Sequence, residues 1–165
     1  MGSEMTLVGK MKHMILIAVA SLVIGGMSSV SAQTAPSSSV PFEMAVKEAA
    51  WLTGLYPTWN IYRGEGESMY PHYGSHSLLI VNETNISAVK SGMIVLFEDA
   101  EGDRVAHLVE RSEAGELWTR GANNPSTDPA TVTAENFIGV IVGVMHTDRN
   151  SIPDTTIPVA IGKTY

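Results

Sequence analysis

A serine and a histidine are the residues whose types and surroundings point most directly to chemistry. Ser68 lies in the run Gly66-Glu67-Ser68-Met69-Tyr70-Pro71, and His107 lies in the alternating, strand-like run Arg104–Val109. A serine hydroxyl is a poor nucleophile at neutral pH, and a histidine within hydrogen-bond reach is the commonest way to activate it. We therefore predict that Ser68 is a nucleophile and that His107 is its general base.

The residues around Ser68 favour a tight, exposed corner. Gly64 and Gly66 permit backbone conformations that a side chain would forbid. At such a corner the N–H of Ser68 can bind the oxyanion of a tetrahedral intermediate, so we assign Gly66 to the oxyanion and substrate site. We expect Met69 to pack beside the nucleophile and to line the substrate groove. The alternatives are an ordinary turn serine and an ordinary core methionine.

The alternation around His107 puts Val105, His107 and Val109 on one face of a strand. Apolar neighbours on that face would partly desolvate the imidazole, which favours the neutral form that accepts a proton. The alternative is a buried histidine satisfied by a backbone carbonyl. A lysine cannot take the place of His107 as the base on this strand, because the sequence has no lysine between Lys90 and Lys163.

The ordered pattern Ser-Met-x-Pro, a strand, and then an x-His-x-Val strand resembles the type I signal peptidases. The similarity is to the serine/histidine branch of the archaeal and endoplasmic-reticulum enzymes, and it covers roughly Trp59 to Met145. It implies a membrane-associated serine endopeptidase that cleaves exported preproteins, or one dedicated exported protein, after small residues and without a cofactor. It also implies a core of antiparallel sheets shared with the self-cleaving repressor proteases, and an extended substrate bound by strand addition.

The same resemblance supplies a third candidate, Asp128. The loop Thr119–Asp128 is similar to the family's Thr-Lys-Gly-Asp-Asn-Asn loop, and the second aspartate of that pattern falls on Asp128. A carboxylate there would orient the histidine and stabilise the imidazolium. The alternatives are a turn residue before Pro129 for Asp128, and Asp103 as the orienting carboxylate.

Two departures from the family pattern keep a second function open. Ala122 replaces the first aspartate of the loop, and Gly66 stands where many relatives have a second serine. These substitutions motivate the alternative of a non-catalytic, exported peptide-binding relative of the same fold.

Composition narrows the remaining classes. The chain of 165 residues has a net charge of −7, contains no cysteine and carries its basic residues singly. Disulfides and thiolate chemistry are excluded, and nucleic-acid binding is not expected. His72 and His76 have the i, i+4 spacing of metal ligands on a helix, but Pro71 and Gly74 disfavour a helix there, so no metal site is predicted.

The N-terminus predicts export. Lys10 and Lys12 precede the apolar run Met14–Ile24, and small residues lead up to Ala32. Residues 1–32 are therefore either a cleaved signal peptide or a retained membrane anchor, with the remainder on the extracytoplasmic side of the membrane.

The rest of the chain predicts a mainly β domain with one N-terminal helix. Residues 33–41 are interpreted as a linker, 42–57 as an amphipathic helix and 58–165 as the β catalytic domain. The helix has its apolar positions at Phe42, Met44, Ala45, Ala49, Leu52 and Leu55. Predicted strands are Trp59–Arg63, Ser77–Asn82, Met93–Glu98, Arg104–Glu110, Leu117–Arg120 and Phe137–His146, with a further edge strand over 157–161. Hairpin turns are expected at 101–103 and 113–115, and an exposed loop at 121–125.

Overall fold

The computed structural model describes Thr34 and residues 36–151. Those residues form one α-helix and one antiparallel sheet of six strands, which confirms the expectation of a mainly β domain with an N-terminal helix. The elements are α1 (Phe42–Gly54), β1 (Trp59–Arg63), β2 (Ser77–Asn82), β3 (Ile94–Glu98), β4 (Arg104–Glu113), β5 (Glu116–Arg120) and β6 (Phe137–His146). The predicted signal or anchor segment (1–32) and the predicted edge strand (157–161) lie outside the described residues.

The strand order in the sheet is β1-β2-β6-β3-β4-β5. The six predicted strands are all present, and the largest difference in bounds is at the β4–β5 hairpin. There Ala114 and Gly115 have φ of 53° and 86°, the pair of positive angles that a two-residue hairpin turn requires. Because the turn is so short, strand pairing continues out to Glu113 and Glu116.

Helix α1 packs against the β1–β2 end of the sheet. Phe42, Ala45 and Ala49 are buried in one cluster with Ile61 and Leu78. The two alanines have almost no exposed surface, so the helix approaches the sheet closely. Met44 and Leu55, two of the apolar positions assigned to the helix, lie away from this packed face and are 54% and 57% exposed. Apolar residues occur on both sides of α1, and only the sheet determines which side is buried.

The two faces of β4 enter different parts of the core, as the alternation predicted. Val105 and Val109 pack with Val95, Phe97 and other residues of one cluster. Ala106 and Leu108 pack with a second cluster that contains Met69 and Tyr73. His107 is therefore on the Val105 side of the strand, where it is 7% exposed.

Part of the predicted linker is bound to the last residue of β6 and to the chain that follows it. The Ser38 hydroxyl donates to the carbonyl of His146 at 2.6 Å, and the N–H of Asp148 donates to the carbonyl of Val40 at 2.8 Å. Within residues 36–151, no helix is both long enough and apolar enough to cross a membrane.

Two glycines of β6 provide a matched test of how closely the strands approach. A Cβ on Gly139 would lie 2.6 Å from the backbone oxygen of Asn82, whereas the nearest atom to a Cβ on Gly143 is the Ile80 Cδ1 at 3.4 Å. We expect Gly139→Ala to lower the free energy of unfolding by about 1–3 kcal/mol, because a backbone atom cannot move aside as a side chain can. Gly143→Ala should have a clearly smaller effect in the same urea titration, and equal losses would contradict this account.

Candidate active site

The structure brings Ser68, His107 and Asp128 together. The Nε2 atom of His107 is 3.1 Å from the Ser68 Oγ, and its Nδ1 atom is 2.6 Å from the Asp128 Oδ2. Ser68 and His107 are 39 residues apart in the chain, and His107 and Asp128 are 21 apart. A continuous line of hydrogen bonds thus joins three residues from separate segments.

The carboxylate determines which nitrogen of His107 faces the serine. An ionised carboxylate only accepts hydrogen bonds, so the Nδ1 that faces Asp128 carries the proton. The Nε2 lone pair then faces Ser68, which is the arrangement in which histidine can take a proton from the hydroxyl. The same Oδ2 of Asp128 also accepts from the Thr119 hydroxyl at 2.7 Å, so the carboxylate is held by two donors.

Asp103, the other candidate for the orienting carboxylate, lies in the β3–β4 turn. Its N–H donates to the Asp99 Oδ1 at 2.8 Å, and its carbonyl accepts from the N–H of Asp99 at 2.9 Å. These contacts are those of a hairpin turn, as its Glu-Gly-Asp context indicated.

Apolar side chains surround the imidazole. His107 pairs with Val95 of the neighbouring strand, and the ring of Phe97 approaches its ring edge-on, with centroids 6.2 Å apart. These apolar side chains keep water from most of the imidazole. Its polar contacts are Asp128 on one side and Ser68 on the other. Electrostatic interactions are stronger in such a water-poor setting.

The chain at Ser68 has the predicted corner. Gly66 has a φ of 69°, and a Cβ there would meet nothing within 4 Å, so the glycine is needed for its backbone angle and not for space. Ser68 is partly buried in the turn that follows. Among the described residues, no backbone carbonyl accepts a hydrogen bond from the Ser68 N–H, which can therefore donate to a developing oxyanion.

Tyr73 joins the serine segment to the histidine strand, a contact that the sequence reasoning missed. Its hydroxyl donates to the carbonyl of Ala106, the neighbour of His107, at 3.0 Å, and its N–H donates to the carbonyl of Met69 at 3.3 Å. Burial raises the pKa of Tyr73 well above its ordinary value, so the hydroxyl stays protonated as a donor. In the sequence, the one indication of this contact is the position of Tyr73, five residues after Ser68.

The loop after β5 holds the backbone of Ser68. The N–H of Asn123 donates to the Ser68 carbonyl at 2.7 Å, and its side-chain amide donates to the Glu67 carbonyl at 3.2 Å. The expectation of an exposed loop was wrong at Gly121, which is buried. The space around it is tight, because an added Cβ would lie 2.7 Å from the Asn124 Nδ2 and 2.8 Å from the Ser68 carbonyl oxygen.

Met69 supports this loop, and the structure corrects its predicted role in the substrate groove. The side chain is 2% exposed and packs with Tyr73, Leu79 and other core residues. Its sulfur accepts from the N–H of Ala122 at 3.4 Å. Met69 therefore has almost no surface to offer a substrate and acts through the loop.

A second support, also missed from sequence, is Glu110. The register passes from the Val109–Thr119 pair to the Arg111–Trp118 pair, so Glu110 is the extra residue of a β-bulge. Its carboxylate accepts from the Arg120 Nε at 2.5 Å and from the Thr127 hydroxyl at 2.6 Å. Because Thr127 precedes Asp128, these bonds hold the end of the loop that carries the carboxylate.

Metal ligands are not grouped in the part of the chain that the structure describes. No cluster there contains three histidine, cysteine, aspartate or glutamate side chains that could hold an ion. His72 and His76 lie in turns and irregular chain, so their i, i+4 spacing does not align them on a helix.

Comparison of the chain with protein-family models, with curated proteins and with solved structures finds no match.

Gly121 provides a test of how closely the loop must approach Ser68. We expect Gly121→Ala to lower the acylation rate of Ser68 by a fluorophosphonate at least about tenfold, because the new Cβ would lie 2.7 Å from the Asn124 side chain and 2.8 Å from the Ser68 carbonyl oxygen. The side chain can move aside, but the carbonyl can move only together with the serine backbone, which misplaces the nucleophile. The matched control is Gly54→Ala, where a Cβ would meet nothing within 4 Å. Similar rates for both variants would contradict the assigned contact.

The hydrogen bonds of Glu110 should make the free energy of unfolding depend on pH. Its hydrogen bonds from Arg120 and Thr127 hold the pKa of its carboxyl below the usual 4.5. A depressed folded-state pKa stabilises the protein above the unfolded value, and that contribution is lost as pH falls through the folded value. We expect Glu110→Gln to remove this part of the acid sensitivity, so that wild type and variant differ most at neutral pH and converge as the pH falls through the lowered pKa of Glu110. Urea titrations at pH 7 and pH 3 measure the difference, and a constant gap would contradict it.

Proposed function

We propose that this protein is a signal-peptidase-like serine endopeptidase that cleaves exported preproteins after small residues. One observation carries the proposal: the hydrogen-bonded line from the Ser68 Oγ through His107 to Asp128, with distances of 3.1 and 2.6 Å. A nucleophile, a base and an orienting carboxylate in this order are the recurring arrangement of serine hydrolases on unrelated folds.

In the acylation step, the Ser68 Oγ attacks the scissile carbonyl carbon while its proton passes to the His107 Nε2. The carbonyl oxygen becomes an oxyanion, and the free N–H of Ser68 is the donor best situated to stabilise it. Asp128 accepts from the Nδ1–H and stabilises the imidazolium. The carbon–nitrogen bond then breaks, and His107 returns the proton to the leaving amine.

Deacylation repeats these roles with water as the nucleophile. His107 takes a proton from the water, whose oxygen forms the new bond to the acyl carbon, and then protonates the Ser68 Oγ as it leaves. No redox change occurs and no cofactor takes part in these steps.

The substrate class comes from the sequence resemblance, not from the geometry. Ser-Met-x-Pro before a strand and His107 on a later strand are the motifs of the serine/histidine signal peptidases, and the six-stranded antiparallel sheet is compatible with their kind of core. The predicted export signal or anchor before residue 33 agrees with action outside the cytoplasm at a membrane. Secretory preproteins, or one dedicated exported protein, are the proposed substrates.

The alternative function is an exported domain that binds a peptide without cleaving it. Ala122 motivates it, since an aspartate of the family loop is missing there. In this chain Ala122 packs in the Met69 cluster and its N–H bonds to the Met69 sulfur, so its position serves loop support. A complete serine, histidine and aspartate arrangement has no evident use in a pure binding domain, which is why we prefer the enzyme.

The test is cleavage of a preprotein with an Ala-x-Ala site by the full chain in phospholipid vesicles. We expect Ser68→Ala and His107→Ala each to lower kcat at least about a thousandfold, because each removes a group that acts in the transition state. Asp128→Asn should leave a reduced but measurable rate, since only the orientation of the imidazole is impaired. Ser87→Ala is the matched control, because Ser87 is an exposed serine outside the site.

Product masses identify the cleaved bond, and labelling with a fluorophosphonate reports Ser68 reactivity without a substrate. Cleavage by Ser68→Ala at the wild-type rate contradicts the mechanism. Labelling of Ser68 without preprotein cleavage contradicts the substrate class but not the activated serine. Absence of both supports the binding domain.

A further inference from the structure

Helix α1 carries apolar residues on the side that faces away from the sheet. Six large hydrophobic side chains are exposed in the described chain, and five of them lie within residues 40–56. We call these five residues, which lie on α1 or within two residues of its ends, the outer surface of α1: Val40 (37% exposed), Met44 (54%), Trp51 (67%), Leu55 (57%) and Tyr56 (45%). Their concentration in one short segment is not the scattered pattern of single exposed hydrophobics on an ordinary surface.

Helical spacing aligns the central members of this surface. With 3.6 residues per turn, Met44, Trp51 and Leu55 fall within about 40° of one another around the helix axis. The buried residues Phe42, Ala45, Ala49 and Thr53 occupy the opposite side. At the C-terminal end, Tyr56 stacks on Trp59 with ring centroids 4.1 Å apart, which extends the aromatic surface beyond the helix.

The composition of this surface fits the interface of a bilayer. Tryptophan and tyrosine are enriched at membrane interfaces because their rings are apolar while their N–H and O–H groups reach water. The exposed charged residues of α1 are Glu43, Lys47 and Glu48, and the chain carries a net charge of −7. Nothing in this balance attracts anionic lipid, so the fitting partner is a surface of zwitterionic lipid.

The order of the chain supports the same partner. The apolar run Met14–Ile24 precedes α1, and residues 25–37 separate it from Ser38, whose N–H donates to the carbonyl of Thr147 just after β6. Thirteen residues span at most about 45 Å. Insertion of the apolar run in a bilayer would hold α1 within that distance of the lipid, at a high effective concentration.

We propose that the outer surface of α1 docks on the headgroup region of a zwitterionic phospholipid bilayer. The inference rests on the proposed membrane association and does not require peptide-bond cleavage. The active site involves β4, the loop after β5 and the turn after β1, whereas α1 contacts β1, β2 and β6. The docked surface is therefore formed by different residues from the site.

The absence of cysteine allows a direct test with single labels. Met44→Cys and Leu55→Cys are made in the full chain, labelled with a nitroxide and reconstituted in phosphatidylcholine vesicles. The control is Glu116→Cys, an exposed residue at the start of β5. We expect the ratio of accessibility to oxygen over a water-soluble nickel chelate to be several-fold higher at positions 44 and 55 than at position 116.

Equal, nickel-accessible signals at all three positions would overturn the proposal. Shielding of positions 44 and 55 from both reagents would also overturn it, since it would mean that protein, such as residues 152–165 or a second copy, covers the surface. Fluorophosphonate labelling of Ser68 in the same vesicles is a separate readout. Failure of the proposed proteolysis is thereby distinguished from failure of docking.

Discussion

A buried imidazole must satisfy both of its ring nitrogens, and the site depends on how the chain meets this requirement at His107. His107 is 7% exposed, so water cannot supply hydrogen-bond partners for both ring nitrogens. Asp128 satisfies one nitrogen and Ser68 the other. The two partners come from loops on opposite sides of His107 in the sequence, so the rest of the domain has to bring those loops to one strand.

Each loop is attached to its surroundings by more than its contact with His107. The serine segment is bonded to β4 through the Tyr73 hydroxyl and to the later loop through Asn123. The later loop is bonded to the β-bulge at Glu110 through Thr127, and to β5 through Thr119. Most of these hydrogen bonds join polar side chains to backbone or hydroxyl groups. They fix the positions of the reacting atoms and place no further charge beside Ser68.

The sheet separates two kinds of task. At one end, small alanines let α1 pack closely on β1 and β2, and the outward side of the helix stays apolar. At the other end, β3, β4 and β5 enclose His107 between valines and Phe97. The apolar outward side of α1 and the surroundings of His107 are therefore formed by different residues of the domain.

The sequence by itself determined the elements and the chemical candidates. Alternation and turn residues located every strand in residues 36–151, and the glycines at 102 and 115 marked the two hairpins there, because these signals depend on near neighbours in the chain. The motif order also selected Ser68, His107 and Asp128. Only the tertiary structure decided what packs against what. In the folded domain Met69 and Gly121 are buried, whereas Met44 and Leu55 are exposed. Tyr73 and Glu110 form hydrogen bonds that hold the segments around the site. The physical reason is that α1 has apolar residues on both sides and that a bulge shifts the direction of Glu110, so these outcomes depend on contacts between residues far apart in the sequence.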